Sequence, residues 1–147
     1  MRALFVVSAA LLAAAVFLTA GCGSDSVETP TSSSTTAPVP TTITFTGSLA
    51  VGGARFYSFT ATTGGTISAM LASVASQSGG VPLPIALRVG VGVPSGTGCA
   101  LMQSVSAQPA LHVQLQHTIN AGVHCVSVFD DGTLTTPVYF ALRFSHP

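Results

Sequence analysis

The chain has no tryptophan and no lysine, and its 147 residues carry only four arginines and four acidic side chains. Each shortage excludes a class of function. Without lysine there can be no Walker A loop, which needs an ammonium on the nucleotide phosphates. Without clustered cations nothing neutralises a phosphate backbone, so nucleic acid is not an expected partner. Removing residues 1–21 leaves Arg55, Arg88 and Arg143 against Asp25, Glu28, Asp130 and Asp131, a formal charge of three minus four, or −1. Catalysis is equally short of material. There is no GxSxG elbow, a Ser-His-Asp triad would have to draw on one of two adjacent aspartates, and no facing carboxylates are left for glycoside hydrolysis. A chain so poor in general acids and bases is expected not to be an enzyme and to use no cofactor.

The chain is instead rich in alanine, glycine, serine, threonine and valine, and its length provides one core and one domain. It opens with "MRALFVVSAALLAAAVFLTAGC": one positive charge at Arg2, an apolar stretch from Ala3 to Leu18, and small residues before Cys22. This is the layout of a secretory signal peptide over residues 1–21. An uncleaved membrane helix is the alternative, although the stretch falls short of the roughly 20 apolar residues that span a bilayer. The segment also resembles the lipobox of bacterial lipoproteins. Thr19, Ala20 and Gly21 fill the small positions, with Leu18 one place further from the cysteine than the usual leucine. The resemblance implies diacylglycerol on the Cys22 thiol and cleavage that makes Cys22 the new N-terminus. Two or more acyl chains then hold the protein stably on a membrane. The expected address is the bacterial cell envelope, on the extracytoplasmic side of a membrane.

Residues 23–41, "GSDSVETPTSSSTTAPVPT", offer almost nothing to bury and cannot offset their ordering entropy. Residues 22–41 therefore read as a lipidated cysteine followed by a disordered tether. In polyproline-like geometry it reaches about 60 Å. With Cys22 assigned to lipid, Cys99 and Cys125 remain as a pair, and an oxidising compartment favours a disulfide between them. A metal site on both thiolates is the rival, without the close CxxC spacing that zinc favours.

From residue 42 to 147 the pattern has period two, and no helical periodicity competes with it. Predicted strands are "TITFTGSL", "ARFYSFTAT" with Tyr57, Phe59 and Ala61 on one face, "TISAMLAS", and "IALRVGVGV" with Ile85, Leu87, Val89 and Val91 inward. Cys99–Val105 forms a short strand. "ALHVQLQ" shows the cleanest alternation, setting Leu111, Val113 and Leu115 against His112, Gln114 and Gln116. "VHCVSVF", apolar on both faces, is central, and "VYFALRF" closes the domain after a turn at "DDG". Seven or eight strands, each with an apolar face, are what an antiparallel β-sandwich of jelly-roll or immunoglobulin-like type requires, and a closed barrel is the alternative.

The order of elements "GSLAVGG", "FYSFTAT", "GGTI", "INAGVHCVSVFDDG" and "VYFALRF" resembles the bacterial pre-peptidase C-terminal domain, a small β-sandwich found beside secreted proteases and on cell surfaces. His124 stands where that family usually carries an aromatic residue. The resemblance implies the fold. The calcium and matrix-polymer binding of some relatives relies on acidic and aromatic residues that are scarce here.

Four positions remain as candidate contacts. Asp130 and Asp131 precede a glycine, which suits a turn better than the several oxygens a calcium ion wants. Phe56 and Tyr139, outward on their strands, are the candidate ligand contacts, since amphipathic rings suit carbohydrate or protein. His112, His117 and His124 invite a zinc or copper reading, but on a strand the first two point to opposite faces and second-shell carboxylates are missing, so no metal is expected. The overall expectation is a non-catalytic, lipid-anchored binding or adhesion module for an envelope polysaccharide or partner protein. An accessory domain of a secreted hydrolase system, or a carbohydrate-binding module, is the alternative.

Overall fold

A computed structural model describes residues 39–147; the expected signal peptide, Cys22 and all but the end of the expected tether lie outside the described residues. Eight strands follow in order: β1 (Thr41–Leu49), β2 (Ala54–Ala61), β3 (Gly65–Ser76), β4 (Leu87–Ser95), β5 (Gly98–Ala107), β6 (Leu115–Ile119), β7 (Gly122–Phe129) and β8 (Val138–His146). β-branched and aromatic side chains at alternate positions make these segments strands, because they pack on a pleated surface while small hydroxyl residues face water. β8 is the clearest case. Val138, Phe140, Leu142, Phe144 and His146 are buried, while Tyr139 and Arg143 are exposed between them.

The strands form two antiparallel four-stranded sheets, one in the order β1-β8-β3-β6 and the other β2-β7-β4-β5. Strand one pairs with eight, two with seven, three with six and four with five. This nesting is what a long two-stranded ribbon produces when it folds over a core. It is the jelly-roll arrangement and not the immunoglobulin one. Between the sheets lie Leu49, Ile67, Leu71, Val74, Leu115, Leu142 and Phe144 from the first, and Phe59, Leu87, Val89, Val91, Val126 and Val128 from the second. Each such side chain contributes about 1.5 to 3 kcal/mol on full burial. Phe45 of β1 stacks on Tyr57 of β2 with ring centroids 4.4 Å apart, joining the sheets near one edge.

β7 is central in its sheet, as its two apolar faces foretold, and its outer face is covered by an unusual device. Cys99 on β5 and Cys125 on β7 are joined by a disulfide with a Cα–Cα distance of 5.9 Å, although β4 lies between their strands. Two ordinary strand spacings would put them about 9 to 10 Å apart. The start of β5 must therefore lean out of its sheet and over β4. A bulge marks the place: the register passes from Val91↔Gln103 to Gly92↔Leu101, leaving Met102 as the extra residue. The outward positions of β4 beneath are Gly90 and Gly92, both buried. A Cβ on Gly92 would lie 1.9 Å from the Ala100 carbonyl oxygen. The "VGVGV" pattern is thus apolar inward and empty outward because backbone lies on it.

The segment "ALHVQLQ" departs from expectation. Only its last residues enter β6, while Leu111 is 94% exposed and Val113 is also exposed. Hydrogen bonding, not hydrophobic pattern, decides this stretch. The Ala110 N–H donates to the Leu71 carbonyl, the Gln114 N–H donates to the Ala69 carbonyl, and the Gln114 side-chain carbonyl accepts the Leu71 N–H at 2.7 Å. The amide of Gln114 donates in turn to the Gln108 carbonyl. One side chain thus replaces a strand residue along the free edge of β3, beside the β3 bulge at Ala72. That bulge buries Leu71 and Val74 three residues apart and carries β3 on to Ser76, beyond its expected end at Ser73. Gln114→Ala orphans the N–H of a fully buried residue. The expected cost is ~1 to 3 kcal/mol in urea unfolding, and a loss within error would show that water takes the place of the amide.

Candidate functional site

Both described carboxylates are engaged in the scaffold. The Oδ1 of Asp130 accepts the N–H groups of Gly132 (2.9 Å), Thr133 (2.8 Å) and Leu134 (3.1 Å), and its Oδ2 accepts the N–H of Gly52 at 2.8 Å. Gly52 supplies that donor from the β1–β2 turn at φ +66°, a conformation open to glycine at little cost. Asp130 thus ties the β7–β8 connection to the β1–β2 turn. The Gly52 N–H foremost, with those of Leu134, Thr133 and Gly132 and against an opposing effect of burial, holds its carboxyl below the usual carboxylate range. A carboxylate ringed by N–H donors is turned away from cation chemistry. Asp131 is paired with Arg88, whose Nε and Nη2 both donate to Oδ2, at 3.0 and 2.8 Å. Half exposed, that pair is worth at most about 1 kcal/mol.

The lowered pKa of Asp130 has a definite sign. The folded state binds fewer protons than the unfolded state over the interval between the two pKa values, so the contribution is complete above the unfolded value and lost as pH falls through the folded one. Urea midpoints are therefore expected to drop on acidification below about pH 4, and Asp130→Asn is expected to flatten that drop. Parallel acid limbs for the two proteins would refute this.

The histidines do not converge. His112 is exposed in the 108–114 loop. His117 lies on β6, not in a loop, and its Nδ1 donates to the Gln103 side-chain carbonyl of β5 at 2.8 Å, closing the gap between two edge strands. His124 and His146 are buried on either side of Phe59, with ring centroids 5.8 and 5.0 Å away. The His124 Nε2–H donates to the Asn120 carbonyl, and Nδ1 is buried without a hydrogen-bond partner among the described residues. Among the described residues no group of three or more His, Cys, Asp or Glu is placed to hold a metal ion.

Phe56 and Tyr139 are both outward-facing but on opposite sides of the molecule. Phe56 belongs to β2 and the outer face of one sheet; Tyr139 belongs to β8 and the outer face of the other. No single flat ligand touches both. The Tyr139 face is the richer one. Arg143 lies on it between Thr44 of β1 and Met70 of β3, Ala141 between Thr46 and Ser73, and Tyr139 between Ser48 and Ala75.

Two clefts open on this face. The first, about 300 Å³, lies between Arg143, Met70, Thr42, Ser68 and Ser145 and the exposed loop residues Leu111 and Val113. The second, about 440 Å³, runs past Thr46, Ser48, Ser73, Ala75 and Tyr139. Sequence reasoning found Tyr139 but passed over Arg143, which the strict alternation of β8 places on the same face four residues on. The loop wall was not legible, because Leu111 and Val113 read there as core. No protein-family model matches the chain, and no curated protein matches it either.

Proposed function

We propose that this chain is a non-catalytic envelope protein, held to a membrane by lipid on Cys22, whose sandwich binds a polymer or partner protein. The observation that carries the reading is the outer face of the β1-β8-β3-β6 sheet, with two clefts, an exposed tyrosine and rows of hydroxyl side chains. Support comes also from the lipobox-like end, the Ser/Thr/Pro-rich tether and a disulfide suited to an oxidising compartment. Asp130 and Asp131 do structural work, which fits a scaffold better than an acid–base catalyst. The exposed ring of Tyr139 favours the carbohydrate-binding form of the reading.

Two measurements test it. Cys22→Ala is expected to abolish palmitate labelling and move the protein from the membrane to the soluble fraction; a protein that stays on the membrane refutes the anchor. The full chain is expected to co-sediment with isolated cell-wall polymer, and Tyr139→Ala to weaken this while Phe56→Ala leaves it unchanged. Failure to sediment with the wall polymer at any concentration refutes the polymer-binding role.

A further inference from the structure

Of the three arginines in the described domain, two are used internally. Arg55 donates to the Ser48 carbonyl at 3.0 Å, and Arg88 pairs with Asp131. Arg143 has no carboxylate partner among the described residues, and it is exposed at the middle of the sheet face just described. The only two side-chain carboxylates in residues 39–147 are Asp130 and Asp131, committed elsewhere. Among the described residues the face therefore carries one guanidinium without a carboxylate partner and no side-chain acid. A guanidinium presents a planar fork of donors that matches a carboxylate better than any neutral group does.

We propose that this face binds an acidic polysaccharide, with Arg143 reading a sugar carboxylate and Tyr139 stacking on a neighbouring ring. The inference rests on the binding reading above and names its ligand. Arg143 and Tyr139 point the same way four residues apart on β8, which sets them about 13 Å apart. That is the reach of a short oligosaccharide laid along the strand. Between them Thr46 and Ser73 border Ala141, so the track is low, open and lined by hydroxyls that exchange hydrogen bonds with sugar hydroxyls.

Leu111 and Val113 wall the Arg143 end, where they exclude water from the ion pair and pack on the apolar C–H face of the bound ring. A protein partner fits less well. Between Arg143 and Tyr139 the face offers only the small side chains of Thr46, Ser73 and Ala141, with no contiguous cluster of large anchors of the kind that dominates protein interfaces.

The test is equilibrium binding of the full chain to polygalacturonate, alginate and hyaluronate, with dextran as the neutral control and polyglutamate as the acidic peptide control. At least one uronate polymer is expected to bind, with dextran at least about tenfold weaker. Arg143→Gln is expected to reduce uronate affinity roughly tenfold or more. Arg143 is exposed, so the variant keeps the fold, and an unchanged thermal midpoint verifies this. Tyr139→Ala reduces affinity for the same polymer, and Phe56→Ala on the opposite face does not.

Binding of dextran and uronates alike, indifferent to Arg143→Gln but lost in Tyr139→Ala, overturns the carboxylate reading and leaves the binding role standing. Polyglutamate bound as tightly as any uronate overturns the saccharide assignment. No binding of any polymer, together with no co-sedimentation with cell wall, overturns both.

Discussion

Gly92→Ala is expected to cost about 3 kcal/mol or more of folding stability, in the range of severe overpacking. The sign alone is informative. In an ordinary strand interior the change from glycine to alanine is favourable by roughly 0.5 to 1 kcal/mol, because the unfolded chain loses freedom. Here the new methyl meets the Ala100 carbonyl oxygen at 1.9 Å, with the Leu101 Cα at 2.9 Å, and these are backbone atoms that cannot rotate aside. The variant must push the start of β5 off β4. Denaturant unfolding measures the cost, and hydrogen exchange on Cys99 to Leu101 reports whether that segment lifts. A variant as stable as the parent would show that β5 does not lie over Gly92. Gly90→Ala is the milder companion, since its nearest neighbour is the flexible Leu101 side chain, at 2.9 Å.

Loss of the Cys99–Cys125 bridge is expected to be of similar size, for a different reason. A closed loop with a sequence separation of 26 corresponds on the chain-entropy model to about 3.5 kcal/mol removed from the unfolded state. The bridge also pins the overhanging part of β5 to β7 across β4, so its removal loosens the segment that Gly92 makes room for. Replacing both cysteines by alanine leaves no buried thiol at the fully buried position 125 and isolates the effect of the link. The double variant should unfold at lower urea concentration, and reduced parent protein should follow it. Combined with Gly92→Ala, the losses should be less than additive, because both changes free the same strand end. Full additivity would separate the two and refute a shared segment. Absence of any shift would show that the packing of β4 against β5 and β7 holds the strand end without the covalent link.

The consequences reach the candidate site through the fold. The outer face of the β2-β7-β4-β5 sheet is partly occupied by its own hairpin, with Leu101 over Gly90 and backbone over Gly92. Among the described residues the outer face of the β1-β8-β3-β6 sheet carries no such cover at β8, which leaves Tyr139 and Arg143 exposed and two clefts open. A sandwich has two outer faces, and among the described residues one is partly covered by its own hairpin while the other is open at β8.

Period-two alternation of β-branched and aromatic residues, with glycine and proline breaks, determined an all-β fold without reference to any contact, and the two separate sheets made it a sandwich and not a barrel. Most core positions followed from it, from Tyr57, Phe59 and Ala61 to Leu87, Val89 and Val91, because burial on one face of a strand is written in residue parity. The pairing of Cys99 with Cys125 was expected from parity of number, with Cys22 expected to carry lipid in an oxidising compartment, and the structure joins the two. Tertiary structure alone decided the rest. Nesting of the strands distinguished a jelly roll from an immunoglobulin sandwich, since both draw on the same local pattern. The Gln114 amide took a strand residue's place and expelled Leu111 and Val113 to the surface, against the cleanest alternation in the chain. Long-range hydrogen bonds turned Asp130 from a possible ligand into a staple between two turns. Sheet membership separated Phe56 from Tyr139 and set Arg143 beside the latter. Parity tells which way a side chain points from its own strand, whereas partners far along the chain decide what it meets there.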